Sequence, residues 1–311
     1  MSKLSFELQN RGACPLCHST ARRVFLAFRD IPVVRCGACD FLYSSAVLPE
    51  ESLKTFYSER YGGSRHMQGQ RVNAQINFSA ICRLLQTDRI GHFLEVGSGY
   101  GFLLKLIRER LGATVAGVEL SKEETRYARE ELGVPTHCLS LGDAPLAQAS
   151  FDVVACFEVI EHVPDPVSFL REMARFVRPG GALLVMTDNF ECPLVRRLGA
   201  DFPKWIPHQH VSHFGNATLR ASLARVSGMR LEHELSYTPW ELYARWLTRL
   251  CKRETPADQA FDLKTELASE MTRSYKLFGL RRQVNQIWAD LTFRTNLNGA
   301  LMYLTARRQP A

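Results

Sequence analysis

The feature that most restricts the fold of this chain is the segment Glu95-Val96-Gly97-Ser98-Gly99-Tyr100-Gly101, which follows an apolar run at 92–96 and opens a helical pattern reaching Leu111. Glycines two apart let the backbone turn sharply out of a strand and approach a bound molecule closely. Such a loop needs a strand before it and a helix after it, and the following sequence repeats that alternation. Strands are predicted at 114–119, 136–139, 151–157, 182–187 and 229–235, with helices at 121–132, 166–178 and 218–226. Short, continuously apolar strands between helices predict an α/β fold with a parallel sheet covered on both faces. Residues 240–296 read as mainly helical, interrupted at Pro256, and 300–306 as a returning last strand.

The N-terminal part has a different constraint. Cys14-Pro-Leu-Cys17 and Cys36-Gly-Ala-Cys39 are two Cys-x2-Cys knuckles separated by eighteen residues. Four thiolates at that spacing suit a closed tetrahedral Zn2+ site, which has no open position and is structural. The chain therefore divides into a zinc-ribbon module at 1–46, a helical linker or cap at 47–90, a core at 91–239, and a mainly helical region at 240–311. In the linker, Pro49, Glu50 and Glu51 open a helix that Gly62-Gly63 ends, and 69–86 is a second helix. Nine cysteines without a signal peptide argue against a disulfide framework, and Cys138 and Cys156 read as small core residues. No run reaches eighteen apolar residues, so a cytoplasmic protein without a membrane span is expected. The net charge of +7 is concentrated in the flanks, either as a solvated basic surface or as an aid to nucleic-acid binding.

A glycine-rich turn by itself also serves dinucleotide enzymes. Here the spacing is Gly-x-Gly-x-Gly, Glu95 stands two residues before the first glycine, and the strand at 151–157 runs into FEVIEHVPDP (157–166), then a helix, then RFVRPGG (175–181). In order and spacing this series resembles the class I S-adenosylmethionine (SAM) dependent methyltransferases over roughly residues 90–235, and among them is similar to the ubiquinone-biosynthesis O-methyltransferases and their relatives. The resemblance implies a Rossmann-like seven-stranded sheet with SAM as cofactor. Gly97, Gly99 and Gly101 would pass beneath the methionine part of SAM, and Glu95 would hold the loop and the cofactor amine. Glu119 would bind the ribose hydroxyls, Asp143 the adenine amino group, and Phe157 would lie near the methyl donor. Asp143 also reads as a turn residue after Gly142, and Phe157 as core packing.

Methyl transfer from a sulfonium is an in-line displacement whose leaving group needs no acid. The protein must align the acceptor and, for a hydroxyl, remove its proton. Glu158, Glu161 and His162 share one side of a turn at i, i+3, i+4. Ubiquinone O-methyltransferases and small-RNA 2′-O-methyltransferases resemble this stretch, which implies Mg2+ or Mn2+ held with a further histidine. The other reading is a pair that shapes the loop before Pro164. The second candidate is PHQHVSHF (207–214), beside Trp205, where His210 would be a base or the fourth metal ligand and His208 and His213 are alternatives. Sugar C-methyltransferases are similar here and use a histidine as base, but they carry a tyrosine near the motif where this chain has Pro207. Histidines that bind backbone in a surface loop are the alternative. Tyr57 and Tyr61 read as linker packing or as a cap on the SAM cleft, and the aromatics Trp240, Trp246, Phe278, Trp288 and Phe293 as core, contact surface or lid.

These readings converge on methyl transfer to a hydroxyl of a small metabolite, such as a sugar or natural-product intermediate. An RNA-modifying enzyme using the ribbon and basic flanks, a sugar C-methyltransferase and a non-enzymatic SAM-fold scaffold are the competing readings. A dehydrogenase would need a different glycine spacing.

Overall fold

The computed structural model describes residues 8–28, 31–49, 52, 55, 64–86, 89–252 and 278–310. Tyr57, Tyr61, Pro256 and most of the helix expected at 49–61 lie outside the described residues.

The N-terminal module contains the strands β1 (Gln9–Asn10), β2 (Arg22–Leu26), β3 (Val33–Cys36), β4 (Leu42–Ser44) and β5 (Ala46–Val47). Helix α1 (Ser64–Leu85) leads into the core. The core then runs β6 (His92–Val96), α2 (Phe102–Leu111), β7 (Thr114–Val118), α3 (Lys122–Glu130), β8 (Thr136–His137), β9 (Phe151–Phe157), α4 (Pro166–Phe176) and β10 (Val177–Asp188). After α5 (Pro193–Leu198) and β11 (Ser212–His213) come α6 (Asn216–Ala224), β12 (Met229–Tyr237), α7 (Trp240–Lys252), α8 (Phe278–Thr292) and β13 (Leu301–Arg308).

Seven strands form one sheet in the order β12-β13-β10-β9-β6-β7-β8. β6, β7, β8, β9 and β10 pair in parallel, whereas β13 runs antiparallel between β10 and β12. The apolar segment expected to return at 300–306 therefore completes the sheet. Alternation along β9 sends Val154 and Cys156 to one core with Leu170, Met173 and Leu219, and Val153, Ala155 and Phe157 to the other with Ile81 and Leu104. α4 starts where Asp165 Oδ1 accepts the Ser168 N–H at 3.0 Å and Pro166 fills the first turn.

Most boundaries shift by a few residues from the sequence reading, and two differences change the local structure. α4 ends at Phe176, and β10 begins at Val177, with a register shift against β9 between Val177 and Ala182. Pro179, Gly180 (φ 73°) and Gly181 form an irregular stretch inside one strand and do not separate a helix from a strand. The strand expected at 136–139 is only two residues long, because the chain bends into the turn at Ser140.

The ribbon does not stand apart from the core. Its sheet has the order β11-β4-β3-β2, so the outermost strand beside β4 is contributed by the histidine loop after β10. No helix among the described residues is long and apolar enough to cross a membrane.

Candidate active site

At the carboxyl end of β6 the chain enters the glycine loop. Gly97, Gly99 and Gly101 have φ of 73°, 52° and 78°, the left-handed region that side chains rarely adopt. A methyl group at Gly97 would collide with the Val159 side chain, and one at Gly99 with Gln70. The loop is tied to the next strand by the Glu119 carboxylate, which accepts the Gly99 N–H (2.9 Å) and the Ser121 N–H (2.8 Å). Glu95 and Ser98 are each 5 % exposed, and Glu95 Oε2 and Ser98 Oγ have no hydrogen-bond partner among the described residues. Buried polar atoms are nearly always paired, so these two are free to bond a polar ligand. Burial, together with neighbouring Glu119, holds the Glu95 carboxyl well above the usual range. A cationic ammonium or sulfonium would relieve that penalty. The bare turn, the two carboxylates and the orphaned atoms fit an adenosyl sulfonium.

α1 covers this loop with a polar stripe. Gln70 Oε1 accepts the Tyr100 N–H at 2.8 Å, and its Nε2 lies 2.8 Å from His66 Nε2. Asn73 Nδ2 donates to Glu158 Oε2 at 2.9 Å.

The second part of the site begins where β9 ends. Glu158 has a left-handed φ of 53°, which costs a non-glycine residue about 1–3 kcal/mol. Lys204 Nζ donates to its Oε1 at 2.6 Å and holds the carboxyl below its usual range. Val159 touches the glycine loop, and a single 3-10 turn, Ile160–His162, then buries Glu161. Glu161 Oε2 accepts the Thr187 hydroxyl at 2.8 Å, while Oε1 has no hydrogen-bond partner among the described residues. Burial, then Asp188 and Glu158, push this carboxyl up to about 8. The His162 and His210 rings meet edge to face at 4.7 Å. His162 Nδ1 lies 3.1 Å from the Gln209 carbonyl, and His210 Nδ1 has no hydrogen-bond partner among the described residues. Burial lowers His162 to about 4 and His210 well below its ordinary value, so both imidazoles are neutral near pH 7.

The ribbon grips the histidine loop from outside. Ser44 Oγ donates to the Pro207 carbonyl at 2.7 Å, and Ser44 N–H to the Val211 carbonyl at 3.1 Å. Arg11 donates to the Val211 carbonyl at 2.9 Å and to that of Pro164 at 2.5 Å. Behind this seam Cys14, Cys17, Cys36 and Cys39 converge, with Sγ···Sγ distances of 3.6 Å (Cys14–Cys39) and 3.5 Å (Cys17–Cys36).

Residues 94–185 match the family described as a methyltransferase domain. The ubiquinone biosynthesis O-methyltransferase of Thiobacillus denitrificans is 33 % identical over 186 residues, which span 55 % of this chain and 76 % of that protein. The protein of the same name from Xanthomonas axonopodis pv. citri is 35 % identical over 170 residues, covering 50 % and 70 %. This chain is a class I SAM-dependent methyltransferase. A solved Thermotoga maritima structure, described as a possible histamine N-methyltransferase, is similar at 19 % identity and a TM-score of 0.48, over 83 % of this chain and 95 % of that one.

The methyltransferase places the expected residues unevenly. Glu95 is the penultimate residue of β6, Gly97, Gly99 and Gly101 form the turn that follows, and Glu119 is hydrogen-bonded to that turn at Gly99. Phe157 is 8 % exposed and its ring lies 6.5 Å from Tyr303. Asp143 is exposed and accepts the Ser140 hydroxyl within a turn. Glu158, Glu161, His162 and His210 fall into two groups that share Glu161: one with His162 and His210, the other with Glu158 and Asp188. His213 lies on β11 between Phe190 and Trp205, at ring distances of 4.6 and 5.0 Å, and His208 is buried beside Gln209. Gln70, Asn73, Asp188 and Lys204 were not anticipated. The first two follow from the spacing of His66, Gln70, Asn73 and Asn77 at i, i+4, i+7, i+11 on one helix face. Lys204 carries no local signal, because only the path of the loop brings it to Glu158.

Proposed function

We propose that this methyltransferase acts on a hydroxyl of a small metabolite, such as a sugar or natural-product intermediate, with His210 as the base. SAM supplies a methyl carbon whose bond to sulfur breaks as a bond to the acceptor oxygen forms, giving a methyl ether, S-adenosylhomocysteine and one proton. The chain's task is to bind, align and take that proton. Val159 carries the supporting observation: it touches Gly97 of the cofactor loop and stands three residues before His162, whose ring packs on His210. That continuity supports reading the two neutral imidazoles as neighbours of the methyl donor. A neutral imidazole can accept a proton, and burial keeps both rings in that form.

Two metals enter the reading. The sulfur separations are close to the roughly 3.8 Å edge of a tetrahedron with 2.3 Å Zn–S bonds, which supports Zn2+ in the ribbon. It would cross-link the knuckle before β2 to the knuckle between β3 and β4. A second, divalent ion (Mg2+ or Mn2+) would be held by Glu161, His162 and His210, whose ligand atoms lie within 4.8 Å of one another, and it would acidify an acceptor hydroxyl. The unpartnered Glu161 Oε1 and His210 Nδ1 favour this second reading.

The deciding experiment is a mass-shift screen of hydroxylated metabolites with SAM, with and without chelator. The hydroxyl reading expects a one-methyl gain, located on oxygen. Loss of that gain on chelation, restored by Mn2+ alone, would select the metal variant. A gain found only on carbon or nitrogen, or only on RNA, would refute the reading.

A further inference from the structure

Between the carboxyl ends of β9 and β10 and the helices α1, α7 and α8 lies a cavity of about 320 Å³, within the range of small-molecule sites. Its lining includes Tyr237, Trp240 and Trp288. Both indole N–H groups are already bonded, Trp240 to Asn285 Oδ1 at 2.5 Å and Trp288 to the Thr238 carbonyl at 2.8 Å, so these rings offer the cavity mainly carbon surface. Glu158, Asp188 and Lys204 meet in the same lining.

Glu158, Glu161 and Asp188 each bring an oxygen within 4.8 Å of the others, the arrangement of an oxygen-donor cation site. Independently, Glu161 Oε1 and Asp188 Oδ2 are buried and receive no hydrogen bond among the described residues, with the two residues 0 % and 3 % exposed. A cation is already there. Lys204 Nζ lies 2.6 Å from Glu158 Oε1 and 3.8 Å from Asp188 Oδ2.

We propose that Lys204 is the resident cation of the acceptor site, its ammonium taking the place of a divalent ion between Glu158 and Asp188. This rests on reading the site as one for hydroxyl methylation. The ammonium neutralises one carboxylate and fixes Glu158, which Asn73 holds from the other side. Lys204 is thus a positioning residue, and because it lines the cavity its ammonium can also donate to an acceptor oxygen bound there. Glu158 and Asp188 set two carboxylates beside this one ammonium in the cavity lining. An anionic head group is repelled, and a neutral acceptor with a hydroxylated end and an apolar body is accommodated.

Mn2+ uptake, followed by electron paramagnetic resonance on the whole 311-residue chain supplied with Zn2+, tests the assignment without needing an acceptor. In the wild type, Mn2+ uptake should be unchanged by Glu158→Gln or Asp188→Asn. Lys204→Met should acquire a Mn2+ site that a further Glu158→Gln change removes, while Lys204→Arg should not. Loss of wild-type Mn2+ binding on Asp188→Asn, or no new site in Lys204→Met, would overturn it. The wild-type arm stands even if Lys204→Met fails to fold. Failure of the hydroxyl reading would instead appear in the acceptor screen and leave Mn2+ uptake as expected here.

Discussion

Ser44 of the ribbon donates its hydroxyl to the carbonyl of Pro207, 163 residues further along the chain, at 2.7 Å. Three residues after Pro207 stands His210, so the cysteine module and the candidate base are joined by one short stretch of backbone. Structural zinc contributes its binding free energy directly to folding. With Zn2+ in the ribbon as proposed, removing it with a chelator, or by Cys36→Ser, should release the histidine loop. Hydrogen exchange at 207–213 should quicken at least tenfold, while SAM affinity changes less than about threefold, or about 0.7 kcal/mol. Unchanged exchange would mean that the loop holds its shape without the ribbon.

Gly99 is the tightest point of the glycine loop, since it combines a left-handed backbone with Gln70 packed against it. Gly99→Ala should weaken SAM binding by calorimetry at least tenfold, or about 1.4 kcal/mol. The double variant Gly99→Ala/Gln70→Ala should recover part of that loss by removing the collision but not the strain. An unweakened single variant would remove the loop from the cofactor site.

The buried histidines set an acid limit on stability. Burial lowers His213 to about 3 and His162 and His208 to about 4, against about 6.5 when unfolded. Between pH 6.5 and 4 the unfolded chain therefore binds more protons than the folded one. Stability from these groups is present above pH 6.5 and is lost as pH falls. Raised Glu161 works in the opposite sense, stabilising below pH 4.5 and losing that effect as pH rises through about 8. His213→Gln should lower the slope of unfolding free energy against pH by up to about 1.4 kcal/mol per pH unit in the acid window. Equal slopes in denaturant titrations would show that His213 does not contribute.

How much of this could be read in the sequence depends on how local each signal is. The loop at Gly97, the strands around it and the cysteine knuckles are short-range patterns, and their residues come together as the spacing implies. The return of 301–308 into the sheet also follows from its apolar run. What escaped comes from long-range topology. Lys204 reaches Glu158 across 46 positions, and β11 joins a sheet whose other strands end at Ser44. The i, i+3, i+4 spacing of Glu158, Glu161 and His162 misled in part. Glu158 adopts a left-handed backbone ahead of a 3-10 turn, so helical spacing does not apply there.

The most direct test of the central claim uses His210→Gln with any acceptor that the wild type methylates. With His210 as base, kcat should fall by about 10²–10⁴-fold, while the SAM dissociation constant from calorimetry stays within twofold of wild type. Full turnover in His210→Gln, with SAM still bound, would contradict it.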